Sequence, residues 1–176
     1  NVGGTGKTPI AMFLFKILKK MGYNPVFLTS GYKSKISKPC IANENVTLFG
    51  DEAIMLKNIG PTVVSKHKLM GVKYIETLNS KKRLYDIIVM DDGLQHYSIE
   101  KNLCFLTIDR KSLFGNEFCL PSGPLRQSFN SCRKNIDKII LTGNQNFKKG
   151  SNFLKKNILN SYIKVEKVSV KKKYYS

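Results

Sequence analysis

The stretch Asn1-Val2-Gly3-Gly4-Thr5-Gly6-Lys7-Thr8 runs without a break into a strongly periodic apolar segment. Glycines let a backbone fold its N–H groups around a phosphate chain, and a helix that starts there adds unpaired donors and the positive end of its dipole. Lys7 is then placed to reach β and γ phosphates, and the Thr8 hydroxyl to ligate magnesium. The strict pattern G-x-x-x-x-G-K-[ST] has Gly at its first position, where this chain has Asn1, so the loop is a variant. The strand that should precede it is not in the chain, which therefore reads as an internal fragment.

The helix after the loop is expected over about residues 8–21. Ile10, Phe13, Leu14, Ile17, Leu18 and Met21 would form its buried face, with Lys16, Lys19 and Lys20 opposite. Thr8 and Pro9 suit its first turn, and Gly22 suits its stop. Short β-branched runs then recur at 26–29, 62–65, 85–90, 103–108 and 138–141, with helix-like segments at 51–58 and 69–79 between them. Apolar runs that hardly alternate, separated by helices, indicate an α/β fold whose mostly parallel sheet is covered on both faces.

The segment 111–132 holds Gly115, Pro121, Gly123 and Pro124 without a sustained period, and reads as a long ordered loop. A helix is expected over 151–160, followed by an alternating stretch over 163–170. Residues 1–145 read as one core, and 146–176 as the beginning of a smaller second domain.

A chain of 176 residues, 41% hydrophobic, can bury a real core, which argues against disorder. Its formal charge of +18 draws phosphates or an anionic membrane surface, and would equally suit nucleic acid. The positive charge is almost all lysine, with arginine only at Arg83, Arg110, Arg126 and Arg133, and asparagine is frequent, as on a solvated Lys/Asn-rich surface. Cys40, Cys104, Cys119 and Cys132 have no C-x-x-C spacing and read as free thiols without structural zinc. The longest apolar run, 10–15, is far too short to span a bilayer.

The apolar run 85–90 ends in Asp91-Asp92-Gly93. A strand that ends in Asp beside a phosphate loop is how such enzymes hold magnesium opposite the Ser/Thr. Gln95 and His96 follow on the same loop, and His96 can move a proton or bond a phosphate oxygen. His67, between Lys66 and Lys68, reads as a surface residue. Asp51 and Glu52 open a helix, where their charges also complement the dipole.

Taken together, VGGTGKTP at 2–9, TSGY at 29–32, GDE at 50–52, DDGLQH at 91–96, FGN at 114–116 and LPSGPLR at 120–126 resemble the tetraacyldisaccharide 4′-kinases of lipid A synthesis. The resemblance spans about residues 1–145, and DDGLQH with the downstream GPLR is its most specific part. It implies transfer of the ATP γ-phosphate, with magnesium, to the 4′-hydroxyl of an anionic glycolipid, a tetraacyldisaccharide 1-phosphate. The setting it implies is the cytoplasmic face of the inner membrane, with attachment peripheral or through an N-terminal segment.

By the same resemblance Asp51 matches a general base, and Lys7, His96 and Arg126 complete the catalytic set. Asn1, Val2, Gly3, Gly4, Thr5, Gly6, Lys7, Thr8 and Gln95 match nucleotide-binding positions, and Thr8, Glu52, Asp91 and Asp92 the magnesium site. Lys66 and Lys68 stand near the glycolipid headgroup, where the family commonly has arginine. Ser30 and Gln127 replace an arginine and an acidic residue. No nucleic-acid partner is expected, and the protein is expected to be a monomer. Two other readings stay open: a partitioning or metal-insertion type of P-loop ATPase, and an inactive gene fragment.

Overall fold

The computed structural model describes residues 6–110, 118–123, 128–143 and 158–160. They fall into two units, divided between Cys104 and Phe105, and each is treated by itself.

The first unit is built on the sheet order β2-β3-β1-β4. Strands β1 (Pro25–Thr29), β3 (Thr62–Val64) and β4 (Ile87–Met90) run parallel, and the short β2 (Cys40–Ile41) is antiparallel to β3. Period-two alternation sends successive side chains to opposite faces. On one face Phe27 of β1 packs with Ala11 and Phe15 of α1 (Lys7–Lys20) and Leu56 of α3 (Asp51–Lys57). On the other, Val26, Leu28 and Val63 pack with Ile75 of α4 (Lys68–Lys81). Every residue of β1 is buried, as a central strand covered on both sides must be. The α/β class and the two covered faces are those that the apolar runs predict.

The register of α1 differs from expectation. Phe13 and Met21 are 59% and 64% exposed, whereas Phe15 is 2% exposed. The buried stripe instead runs through Ile10, Ala11 and Phe15. Phe15 stacks on Phe27 with ring centroids 4.3 Å apart. Apolar residues surround this helix so completely that spacing alone could not select the face; the small Ala11 and the ring pair do. Gly22 stops the helix as predicted, its N–H bonding Lys19 O while Tyr23 N–H bonds Leu18 O.

The stretch between β1 and α3 carries two elements that the pattern did not reveal, β2 and the four-residue α2 (Val46–Phe49), capped by the Asn45 side chain on Leu48 N–H. Gly50 joins α2 to α3 at φ 80°, and a Cβ there would drive into the Tyr32 carbonyl oxygen. Only glycine suits both demands.

The second unit holds a parallel three-stranded sheet, β5 (Phe105–Asp109), β6 (Lys138–Thr142) and β7 (Ile158–Asn160), in that order. The expected helix over 151–160 is corrected at its end, because residues 158–160 pair with β6. A short apolar run is compatible with either period, and an available sheet edge decides it. Within the expected loop 111–132, residues 129–132 form the short helix α5, followed by a 3-10 turn over Arg133–Asn135. The alternating stretch 163–170 lies outside the described residues.

Candidate functional site

The parallel strands of the first unit finish on one edge of its sheet, and three chain reversals meet there. One is the start of α1. Gly6 caps it with φ 78° and accepts the Ile10 N–H, which leaves Lys7 and Thr8 as the first helical residues. The second follows β4, where Asp91 takes the Leu28 carbonyl through its own N–H at 3.1 Å and Asp92 turns left-handed at φ 55°. Aspartate tolerates that region better than most residues, and such outliers cluster at functional sites. The third follows β3, where Ser65 N–H bonds Thr29 O and the Ser65 hydroxyl bonds His67 O, so that α4 begins at Lys68.

These reversals bring the predicted residues into contact. The Thr8 hydroxyl donates to Asp91 Oδ2 at 2.9 Å, and Lys7 Nζ lies 3.1 Å from Asp92 Oδ1. Asp91 is buried at 3% exposure, whereas the Lys7 and Asp92 side chains are about a third exposed or more. An ion pair that open to water is worth at most about 1 kcal/mol. Lys7 can therefore exchange Asp92 for another anion at little cost.

Glu52, in the first turn of α3, shares a hydrogen bond with Asp91. Burial, that bond and the negative charges of Asp91 and Asp92 push its carboxyl up to about 7, against the opposing pull of Lys68. Asp51, its neighbour, is exposed at the start of the same helix. His96 is half-buried, and its N–H closes a turn on Gly93 O. Burial and the nearby Lys68 and Lys101 hold its imidazole below the usual range, with Asp92 opposing. Gln95 beside it is exposed. Asn1, Val2, Gly3, Gly4, Thr5 and Arg126 lie outside the described residues.

Lys68 departs most from expectation. It is 2% exposed, close to the carboxylates, with its ammonium donating to Leu28 O at 3.1 Å and Asp91 O at 2.9 Å. Burial lowers its pKa to about 8, and Asp91, Asp92 and Glu52 resist that fall. Its place, just after β3 and at the start of a helix, was the available signal: that position puts it on the same sheet edge as Asp91. Lys101, also not foreseen, ties down the His96 turn by bonding His96 O at 2.7 Å and Ile99 O at 3.1 Å. Lys66 and His67 are exposed, as expected of surface residues.

Hydroxyl and carboxylate oxygens are the hard donors that magnesium takes, and three crowded carboxylates with one displaced toward protonation form a site that favours a cation. Among the described residues no group of three or more His, Cys, Asp or Glu side chains is set to hold a metal alone. A magnesium that keeps water and phosphate oxygens needs no such cage. None of the four cysteines, all among the described residues, is in a disulfide. No helix among the described residues is long and apolar enough to cross a membrane.

The chain matches, over residues 1–174, a family model described as tetraacyldisaccharide-1-P 4′-kinase. It is 37% identical to a tetraacyldisaccharide 4′-kinase of Francisella philomiragia over 177 residues, covering 95% of this chain and 53% of that protein. With the enzyme of that name from Haemophilus influenzae it shares 38% over 151 residues, covering 83% of this chain and 44% of that one. It also resembles the crystal structure of LpxK from Aquifex aeolicus in complex with ATP, at 26% identity and a TM-score of 0.73, covering 90% of this chain and 50% of that chain. The chain thus spans about half the length of the relatives it matches.

Proposed function

Because the chain belongs to the tetraacyldisaccharide-1-P 4′-kinase family, we propose that the protein transfers the γ-phosphate of ATP to the 4′-hydroxyl of a tetraacyldisaccharide 1-phosphate. The observation that carries the chemistry is the pairing of Thr8 with Asp91 and of Lys7 with Asp92, which joins the phosphate loop to the aspartates ending a strand. Family membership supports the choice of acceptor. It also favours this reading over a partitioning type of ATPase.

In this reading residues 1–8 cradle the triphosphate. Lys7 leaves Asp92 for the β and γ phosphate oxygens, where its charge offsets the negative charge of the transferring group. Thr8, Asp91, Asp92 and Glu52 would hold magnesium, directly or through water. Magnesium held there would supply neutralisation of the phosphate charge. Asp51, exposed beside this cluster in sequence, accepts the proton of the attacking 4′-hydroxyl as its oxygen bonds to the γ-phosphorus and the bond from that phosphorus to the bridging oxygen breaks, releasing ADP. His96, kept neutral by its surroundings, is able to accept a hydrogen bond from the acceptor or from Asp51 in its protonated form. Gln95 contacts the nucleotide, and Arg126 supplies a bidentate clamp on phosphate.

The reaction joins ATP to a membrane-embedded acylated acceptor, which supports placing it at the cytoplasmic face of the inner membrane. The chain's charge of +18 supports attraction to such a surface. The test is phosphorylation of the acceptor in mixed micelles by the full-length protein with ATP and magnesium. Lys7→Ala and Asp51→Ala are each expected to lower turnover by at least about a hundredfold. Normal turnover in both variants, or ATP hydrolysis stimulated by DNA without glycolipid phosphorylation, overturns the reading. Failure of the unaltered full-length protein to phosphorylate the acceptor would favour an inactive gene product.

A further inference from the structure

A lysine ammonium is compact and strongly hydrated, so placing one at 2% exposure costs several kcal/mol unless its surroundings replace the lost water. A methionine of similar length would fill the space of Lys68 without that cost. Retention of the charge calls for a reason, and the partners of Lys68 supply one.

Two of its three donors are spent on backbone carbonyls, Leu28 O and Asp91 O. Leu28 O also receives the Asp91 N–H at 3.1 Å, so Lys68 grips both sides of the point where β4 leaves β1. This is the residue whose carboxylate meets Thr8. The charge of Lys68, meanwhile, lies among the fields of Asp91, Asp92 and Glu52. Lys7 also serves this cluster, but its side chain is 33% exposed and the proposed reaction draws it away to phosphate. Lys101 is engaged with carbonyls of the His96 turn. Among the described lysines, Lys68 alone is buried.

We propose that Lys68 is a positioning residue, a resident cation that keeps the Asp91–Asp92 turn and its carboxylates assembled between metal-binding events, and that it competes electrostatically with the metal once it arrives. The inference rests on the kinase reading only in taking magnesium as the metal. Its two parts separate by chemistry. Carbonyl tethering needs a donor, which glutamine supplies; charge compensation needs a cation, which glutamine lacks.

The experiment uses the full-length protein and its Lys68→Met and Lys68→Gln variants, melted in chelator and again in millimolar magnesium without nucleotide. Metal-free Lys68→Met is expected to melt about 5–10 °C below the unaltered protein. Magnesium alone should restore at least half of that loss, because a second cation then neutralises the carboxylates. Lys68→Gln should lose less, and magnesium should restore it in the same way. In phosphorylation assays both variants should reach half-maximal rate at about tenfold lower magnesium, since a fixed positive charge has gone. Lys68→Met should show a lower kcat that Lys68→Gln partly recovers, with the KM for ATP nearly unchanged.

A deficit of equal size with and without magnesium, in both variants, would show that Lys68 only fills space, and would overturn the proposal. So would an unchanged magnesium requirement in both. If Lys68→Met does not fold even with magnesium, the Lys68→Gln melts decide by the same criterion. None of the melting results depends on the acceptor, so they stand or fall apart from the kinase assignment.

Discussion

The carboxyl of Glu52 makes the stability of the metal-free protein depend on pH in a direction unusual for an acid. Its folded-state pKa is raised from 4.5 to about 7, first by burial and then by Asp91. The folded state therefore favours the protonated form. Its contribution is present in full below about pH 4.5 and is lost as pH rises through about 7. Full conversion gives about 3 kcal/mol, and half-exposure of the group reduces this to about 1.5 kcal/mol.

The assay is urea unfolding in chelator, at several values from about pH 5 to about pH 8, for the protein and for Glu52→Gln. One neighbour slopes the other way in this range: the depressed pKa of His96 gives stability that is lost as pH falls, whereas that of Lys68, lowered from 10.5 to about 8, acts above it. The unaltered protein alone will thus show a muted trend, and the difference from Glu52→Gln isolates the glutamate. That difference should shift against the unaltered protein by about 1–1.5 kcal/mol across the range, and should shrink in excess magnesium, which favours the ionised form. A constant difference across the range, or a shift of opposite sign, would refute the claim that Glu52 shares its charge burden with Asp91.

Phe15→Ala should cost about 3–5 kcal/mol in denaturant unfolding, because it removes the ring stacked on Phe27, whereas Phe13→Ala on the exposed side should change little. Gly50→Ala should destabilise by about 1–3 kcal/mol and lower phosphorylation as well, since the φ 80° joint next to Asp51 cannot hold its shape against the Tyr32 carbonyl; a normal melt and normal turnover would contradict this.

What could be read from residue order follows the length over which each signal acts. The phosphate loop and its helix depend on neighbours within a few residues, so α1 and its Gly22 stop were legible. The runs that became β1, β3 and β4 are apolar throughout, because both faces of the sheet are covered, and they were legible for the same reason. The buried face of α1 was not, since Phe13 and Phe15 are chemically alike and only Phe27, contributed from elsewhere, distinguishes them. The strand β2 is two residues long and exists only because β3 offers an edge, while β7 was mistaken for the end of a helix. At the site, Lys7, the four acidic residues and His96 could be picked out singly. That the phosphate loop meets Asp91 and Asp92 was inferred from the chemistry of phosphate loops, but the direct pairings of Lys7 with Asp92 and of Thr8 with Asp91, more than eighty positions apart, were not. Lys68 escaped because lysine is ordinarily a surface residue, and nothing in its immediate neighbours marks it as buried.

The proposed reaction gives different tasks to two adjacent acids. Asp51 and Glu52 follow one another at the start of α3, and successive helical positions point about 100° apart. Glu52 turns inward to Asp91 and the field of Lys68, and Asp51 remains exposed. A group that must receive a proton from an incoming hydroxyl has to be reachable, whereas one that steadies a cation does better out of water. The two roles could not be exchanged without rotating the helix, which starts from Gly50 at φ 80° with its backbone packed close to the Tyr32 carbonyl. The proposed assignment of base to Asp51 and cation support to Glu52 is consistent with this difference in exposure. Exchanging the two residues, as Asp51→Glu with Glu52→Asp, keeps the total charge and should still lose at least about tenfold in turnover; retention of full activity would show that the joint does not set the roles.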